Sequence, residues 1–294
     1  MGLEMKKYKS KATFVGCAKN VAINLPAVLE NIDRLSRLFE KTAFIFVEND
    51  SIDNTVEILK NWGESREDFV IHSLTGLDKV IGPRTMRLET CRNLCLAALK
   101  KTRPFSTDDV VIMLDMDDVN SKPIEVPGFL TAHDYLIEKK DVAAVTAVQQ
   151  GAYYDLWALR HPEHFDRDLW EDVIDAALAE KLPDPEPFER VFATCDTQFI
   201  SRESPTEVDS AFGGLGIYKF NALVRNPMPY VGQHTKFLLD GGANFYRMQR
   251  CEHVSFHLGF KMLGMKLVIH PSLVNRGYGA ELRLNPTVYR TLVF

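Results

Sequence analysis

The chain holds 294 residues, 46% hydrophobic and 26% charged, enough for a substantial buried core. Its formal charge of −5 offers no basic footprint for nucleic acid. No run reaches the roughly 18 apolar residues that a membrane span needs, and no apolar stretch follows the basic start MGLEMKKYKSK. The reading is a soluble, cytoplasmic protein with no nucleic-acid partner, compatible with peripheral association with a membrane. The five cysteines (Cys17, Cys91, Cys95, Cys195, Cys251) form no paired framework and no metal-type CxxC spacing, which fits free thiols in a reducing compartment.

In chain order, Ala12 to Cys17 reads as a first strand. Leu25-Pro26 opens an amphipathic helix with Leu29, Ile32, Leu35, Leu38 and Phe39 on one face. Ala43 to Val47 is a second buried strand that runs into the polar cluster from Glu48 to Thr55, where another helix begins. Phe69 to Leu74 is a third strand, and Thr85 to Lys101 a helix with Arg84, Arg87, Arg92 and Asn93 in or near its first turns. VVIMLDMDD (Val110 to Asp118) is a short, β-branched apolar run of the kind buried on both faces of a sheet. Phe129 to Lys140 is then a helix and Val142 to Val148 a fifth strand. Four strand–helix alternations in succession predict an α/β fold with a mostly parallel sheet and right-handed crossovers.

The second half is less periodic. Gly151 to Arg160 is rich in aromatics, Asp168 to Lys181 reads as helix, and Pro183 to Pro187 as loop. Phe212 to Tyr218 (FGGLGIY) is a strand or bend at which backbone approaches something closely. Asp240-Gly241-Gly242 is a turn, Glu252 to Gly264 a helix, and Leu267 to Ile269 a short strand. No repeat or linker divides the chain, so one domain over 1–294 is expected, with residues 151–294 shaped around residues 12–150.

Three groups of polar residues fall at strand C-termini, where open α/β sheets place their ligands. Glu48, Asn49, Asp50 and Asp53 follow the second strand and suit a base edge or ribose hydroxyls, although Asp50 or Ser51 also suits a helix cap. Arg84, Arg87 and Arg92 surround a helix start, and the planar guanidinium fork suits phosphate oxygens. Asp115, Asp117 and Asp118 end the fourth strand. Three unpaired carboxylates are too costly to bury there, and hard oxygen ligands suit Mg²⁺ or Mn²⁺ bridging a diphosphate.

These segments together resemble the nucleotide-sugar half of GT-A glycosyltransferases. FIFVENDSIDNT resembles the nucleoside-binding segment of that family, ETCRNLCLAAL its Arg-Asn helix and VIMLDMDDV its D-x-D metal strand. The resemblance implies a GT-A (Rossmann-like) fold with residues 12–150 binding the nucleotide sugar and 151–294 the acceptor. It implies Mn²⁺ or Mg²⁺ as cofactor and a GDP- or UDP-sugar as donor. By the same carry-over Glu48 and Asp50 face the base or ribose, Arg84 and Arg92 the nucleotide, and Asp115 the ribose or donor sugar. Asp117 and Asp118 hold the metal, and a late histidine, His257 or His270, joins them. YYDLWALRH, the Thr194-Cys195-Asp196 stretch and CEHVSFH also follow the order of segments in the fungal capsule-type α-1,3-mannosyltransferase family. His161 and the LDMDDV string depart from that family's letters. This second resemblance implies a hexosyl-, specifically mannosyl-transferase with a glycan or lipid-linked glycan acceptor, in surface polysaccharide or glycoconjugate synthesis. Glu252 stands where GT-A enzymes carry a Glu-Asp pair, with His253 in place of the second acid. For an inverting reaction Glu252 or Asp240 serves as general base; for a retaining one a carboxylate near the anomeric carbon suffices. Asp155 is the candidate for contact with a sugar, and Tyr153, Tyr154 and Trp157 for stacking on one.

Two rivals share these letters. Asp115-Met-Asp-Asp-Val119 also matches a haloacid-dehalogenase-type phosphatase, with Asp115 as nucleophile and Asp117 as acid/base. That motif normally occupies a chain's first strand. The second rival is a catalytically inactive carbohydrate-binding relative on the same scaffold, which would be expected to lose its metal carboxylates first.

Overall fold

The computed structural model describes residues 7–102, 106–180, 186–239 and 243–275. In chain order the elements are β1 (Tyr8–Ala18), α1 (Leu25–Ser36), β2 (Phe39–Asn49), α2 (Thr55–Gly63), β3 (Phe69–Leu74) and a single turn α3 (Leu77–Val80). There follow α4 (Arg84–Leu99), β4 (Val110–Asp115), a 3₁₀ turn over Asp118–Asn120, α5 (Val126–Glu138) and β5 (Val142–Gln149). The second half holds α6 (Leu169–Glu180), α7 (Glu186–Ala193), β6 (Thr206–Val208), β7 (Leu215–Lys219), α8 (Phe220–Arg225), β8 (Gln233–Leu239), β9 (Ala243–Gln249), α9 (Glu252–Met262) and β10 (Lys266–Asn275).

Eight strands make one sheet in the order β3-β2-β1-β4-β7-β5-β10-β6, and β8 and β9 make a separate hairpin. The β1–β2, β1–β4, β2–β3 and β5–β10 pairs are parallel, whereas β7 runs antiparallel between β4 and β5. The expected mostly parallel α/β architecture is therefore present, with strands of the second half woven into the sheet of the first. The core explains why β4 must be wholly apolar up to Asp115. Val110, Ile112 and Leu114 enter the core cluster that includes α1 and α5 residues, while Val111 and Met113 enter the one that includes α4 and α9 residues. Period-2 alternation with both faces covered leaves no position for a polar side chain until the strand ends.

Several boundaries differ from the sequence reading. Helix α1 buries Leu25, Val28, Leu29, Ile32 and Leu35 but stops at Ser36, so that Phe39 begins β2. Helix α5 starts three residues early, at Val126, because Pro127 fits its first turn, where no backbone N–H is needed. Glu186 and Pro187 open α7, and the rest of the expected Pro183-to-Pro187 loop falls outside the described residues. Strand β10 runs for ten residues in place of three.

The topology also selects a place for a ligand. From β1 the sheet extends through β2 to β3 on one side and through β4 on the other. The crossovers reverse direction there, and open α/β sheets place their ligands at the carboxyl ends of the strands at such a point. Cys17 of β1 and Asp115 of β4 are register partners at that point.

Candidate active site

The site is built around Arg92. It sits on α4 with its side chain 8% exposed. Its Nε donates to Glu252 Oε1 at 2.8 Å and its Nη2 to Asp115 Oδ1 at 3.0 Å. Asp115 comes from the end of β4 and Glu252 from the first turn of α9, so one guanidinium ties three elements together. The rings of Phe212 and Tyr230 flank it, with centroids 5.1 and 5.8 Å from the guanidinium carbon. Burial opposes the charge on Arg92, but the neighbouring carboxylates of Glu252 and Asp115 outweigh it and hold the proton more firmly. The next residue, Asn93, clamps the chain at Tyr230: its Nδ2 donates to the Tyr230 carbonyl and its Oδ1 accepts from the Tyr230 amide.

The acidic strand end has a local logic. Met116 is buried, 1% exposed, and packs over Gly16, where an added Cβ would lie 2.6 Å from its Sδ. Anchoring Met116 below turns Asp115 and Asp117 to the other side, since neighbouring residues in extended chain point oppositely. Asp117 then caps the 3₁₀ turn by accepting from Val119 N, and Asp118 Oδ1 accepts from Ser121 Oγ at 2.9 Å. The side chains of Asp115, Asp117 and Asp118 are all half-buried.

The sequence reading understated how much of this site comes from the two-glycine bend before β7. Gly213 and Gly214 both have positive φ, 63° and 80°. The Gly214 carbonyl accepts from Asp115 N at 2.9 Å and from Asn120 Nδ2 at 2.7 Å, which fixes the end of β4. The Gly213 carbonyl accepts from Asn275 Nδ2, and Gly213 N donates to Asp155 Oδ2 at 2.9 Å. Asp155 is thereby carried into the acid group. Its carboxyl rises to about 6 through burial, against the backbone hydrogen bonds it accepts from Gly213 and Ala158, with Glu252 adding to the rise. Burial likewise pushes the Asp115 carboxyl up to about 7; Arg92 opposes, and Asp117 and Asp155 add to the rise. Asn120, Gln149 and Asn275 form the buried amide network behind the bend, and no motif in the sequence marks them.

Glu48 and Asp50 lie where expected but act on the protein's own backbone. Glu48 is 1% exposed; its Oε1 accepts from Ser51 N at 2.6 Å and its Oε2 from Ser73 Oγ. Asp50, with φ 51°, accepts from Gly76 N and Asp78 N, and Asp53 accepts from Ala22 N and Thr55 N. These acids staple the β1–α1, β2–α2 and β3–α3 loops together, and Glu48, expected at a base or ribose, is buried with both carboxylate oxygens accepting from Ser51 and Ser73. Arg87 is bound to the carbonyls of Ile81 and Gly82. Arg84 opens α4, eight residues from Arg92 and so about 12 Å away along the axis.

The late histidines and the expected base also take other positions. His257 is 1% exposed, with Nδ1 3.0 Å from Ser210 Oγ and Nε2 3.0 Å from Tyr218 OH. Both nitrogens are engaged by protein hydroxyls, which sets this expected metal ligand in the core, where burial drives its pKa down to about 3. His270 packs against Tyr135 of α5, its Nδ1 accepting from Ser272 N. Glu252, expected with Asp240 as the general base of an inverting reaction, is 4% exposed and accepts from Arg92 Nε. Asp240 lies outside the described residues. Tyr153 and Trp157 are buried at 1% and 5%, which places them in the core and not on a sugar. Among the described residues no three His, Cys, Asp or Glu side chains converge as a ready-made metal cage, and no helix is long and apolar enough to cross a membrane.

No protein-family model matches the chain. Over 172 residues it is 24% identical to the mouse (Mus musculus) procollagen galactosyltransferase 2, a stretch that covers 55% of this chain and 26% of that protein. The chain thus spans about a quarter of the length of the curated relative it matches. Among solved structures it is similar to a mannosyltransferase from Pyrobaculum calidifontis in complex with GDP-Man and Mn²⁺. The identity is 15%, covering 92% of this chain and 57% of that one, with a TM-score of 0.49. It is also similar to glucosyl-3-phosphoglycerate synthase from Mycobacterium tuberculosis in complex with UDP, at 14% identity, 97% and 79% coverage and a TM-score of 0.41.

Proposed function

We propose that the chain is a metal-dependent glycosyltransferase that moves a hexose, with mannose the leading candidate, from a GDP- or UDP-sugar to a hydroxyl of a glycan or lipid-linked glycan in surface polysaccharide or glycoconjugate synthesis. The observation that carries this reading is Arg92 bridging Asp115 and Glu252 at the switch point of the sheet, with Asp117 and Asp118 beside it. The stretch shared with a galactosyltransferase agrees with the reaction class.

The donor set suits a divalent cation. Asp115, Asp155 and Glu252 lie near Arg92 and Asp117 near Asp115, and the like charges of Asp117 and Asp155 contribute to the raised Asp115 carboxyl. Magnesium-like ions are commonly held by one or two carboxylates together with substrate phosphates, so the lack of a three-residue cage is compatible with such a site. Asp117 and Asp118 are the residues that would hold the ion. Its chemistry there is neutralisation of the charge that builds on the departing diphosphate.

The remaining residues have roles this chain performs by itself. Asp115, oriented by Arg92, faces the ribose or donor sugar. Glu252 holds the guanidinium in place from the far side and acts as a positioning residue. Asp155, fixed by Gly213 and Ala158, lies on the sugar side and stabilises positive charge at the anomeric carbon. Excluding water around these preset dipoles strengthens each interaction.

The test is release of nucleoside diphosphate from a panel of nucleotide sugars with Mn²⁺. Turnover that Asp117→Ala abolishes, with the fold retained, supports the reading. Hydrolysis of phosphomonoesters without nucleotide-sugar turnover would make the chain a phosphatase instead. Metal-dependent nucleotide binding without turnover on any acceptor would leave a binding module.

A further inference from the structure

Three of the five cysteines meet where α4 crosses the ends of β1 and β2. Cys91 Sγ lies 3.7 Å from Asn49 Oδ1 at the end of β2, and Cys95 Sγ lies 4.0 Å from the carbonyl of Gly16 in β1. Cys17 packs against the core cluster that contains Cys95, whose Sγ rests on the carbonyl of the residue before Cys17. Cys17 is half-buried and directly opposite Asp115 in the β1–β4 register, and Cys95 is three residues beyond Arg92 on α4. A dithiol therefore sits one strand from Asp115 and one helical turn from Arg92.

We propose that Cys17 and Cys95 form a reversible disulfide that switches the site off under oxidation by a hydroperoxide. The Cys17 thiolate attacks the terminal peroxide oxygen, giving a sulfenic acid and releasing an alcohol, or water when the oxidant is hydrogen peroxide. The Cys95 sulfur then attacks the Cys17 sulfur and expels its oxygen as water. Two thiols have lost two electrons and two protons, and the peroxide bond has accepted them. The neighbouring Cys95 thiol, and after it the guanidinium of Arg92, favour the thiolate that starts the reaction, against burial.

The consequence for the site is geometric. A disulfide brings the two sulfurs to about 2.0 Å, well inside the distance at which two thiols merely touch. Closing that gap draws α4 toward β1 one turn from Arg92. Its hydrogen bonds of 2.8 and 3.0 Å to Glu252 and Asp115 have no slack for such a shift. Cys91 faces Asn49 instead and takes no part.

The experiment treats the full chain with hydrogen peroxide, alkylates the remaining thiols and maps peptides without reductant. Binding of GDP and of UDP with Mn²⁺ is measured in parallel by calorimetry. The expected result is a linked peptide containing Cys17 and Cys95, lighter by two hydrogen atoms and separated again by dithiothreitol. Nucleotide affinity should fall by about tenfold on oxidation, within the usual range of site-to-site coupling, and return on reduction. Cys95→Ser should keep its reduced-state affinity in peroxide, and Cys91→Ser should remain sensitive. Sulfinic or sulfonic acid on Cys17 without a link overturns the proposal. So does loss of affinity in Cys95→Ser, or a linked protein that binds as tightly as the reduced one. If the reduced native chain binds neither nucleotide, the glycosyltransferase reading fails instead, and the peptide map alone decides the dithiol.

Discussion

Arg92 Nε and Glu252 Oε1 lie 2.8 Å apart although 160 residues separate them in the chain. The same guanidinium reaches Asp115, so the β4 end and the α9 start are held at one point by a buried charge. Buried pairs of this kind contribute little when intact but cost a great deal when broken. Replacing Arg92 by Met would leave buried Glu252 and half-buried Asp115 without their shared partner, with a loss of roughly 3 kcal/mol in denaturant unfolding. Restoring neutrality with Arg92→Met/Glu252→Gln should recover part of that stability but no nucleotide-sugar turnover. Recovered turnover would remove Arg92 from the site.

The raised carboxyl of Asp115 implies a pH dependence with a definite sign. It titrates near 7 in the folded chain, against about 4 when unfolded. Between those values the folded chain keeps a proton that the unfolded chain has released, so this residue's contribution to stability falls as pH rises through the window. His257 acts oppositely. With a folded value of about 3 it costs nothing above about 6.5, and stability is lost as pH falls below that toward 3. In the absence of divalent cation, Asp115→Asn should therefore make the slope of stability against pH more positive between about 4 and 7. Unfolding in denaturant at several pH values checks this, and an unchanged slope would show that Asp115 does not carry the shift.

Gly214 adopts φ 80°, and a Cβ there would meet Val119 Cγ1 at 2.4 Å and Tyr154 OH at 3.0 Å. Gly214→Ala should cost about 1–3 kcal/mol from the backbone conformation, with the clash added. Because the Gly214 carbonyl holds Asp115 N, donor turnover should fall as well. Gly264 is the control: its φ is 68° but nothing lies within 4 Å of an added Cβ. Gly264→Ala should lose some stability and keep wild-type turnover per folded molecule.

Glu48 separates a framework role from base recognition. Glu48→Ala leaves Ser51 N and Ser73 Oγ without their partner, at a cost of about 2 kcal/mol. If the residue only braces the loop, the ratio of GDP to UDP affinity should stay as in the native chain. A changed ratio in competition binding would return Glu48 to the base-reading group.

How far the sequence could be read depended on the range of the interaction. The end of β4 was legible because its letters carry a local physical rule, five apolar positions that can pair only inside a two-faced sheet followed by three carboxylates that cannot. The helix around Arg92 was legible for a similar reason. The boundaries missed at Phe39 and Val126 were ambiguous because an apolar residue satisfies helix and strand patterns equally well at an element's edge. The roles of Glu48, Glu252 and His257 were another matter. A carboxylate or imidazole looks the same in sequence whether its partner is a ligand, a backbone amide or a buried guanidinium.

An α/β chain with an acidic strand end and an Arg-Asn helix follows from the residues alone, since strand period, helix period and the cost of burying charge are local quantities. Only the tertiary structure decided which acids stand near that strand end. It brought Asp155 in through Gly213, set Glu252 behind Arg92, turned Glu48 and Asp50 onto neighbouring loops and closed His257 between Ser210 and Tyr218. Each of those outcomes rests on a partner distant in the chain, and hydrogen bonds over such separations follow from how the sheet is ordered, which no single stretch of residues encodes.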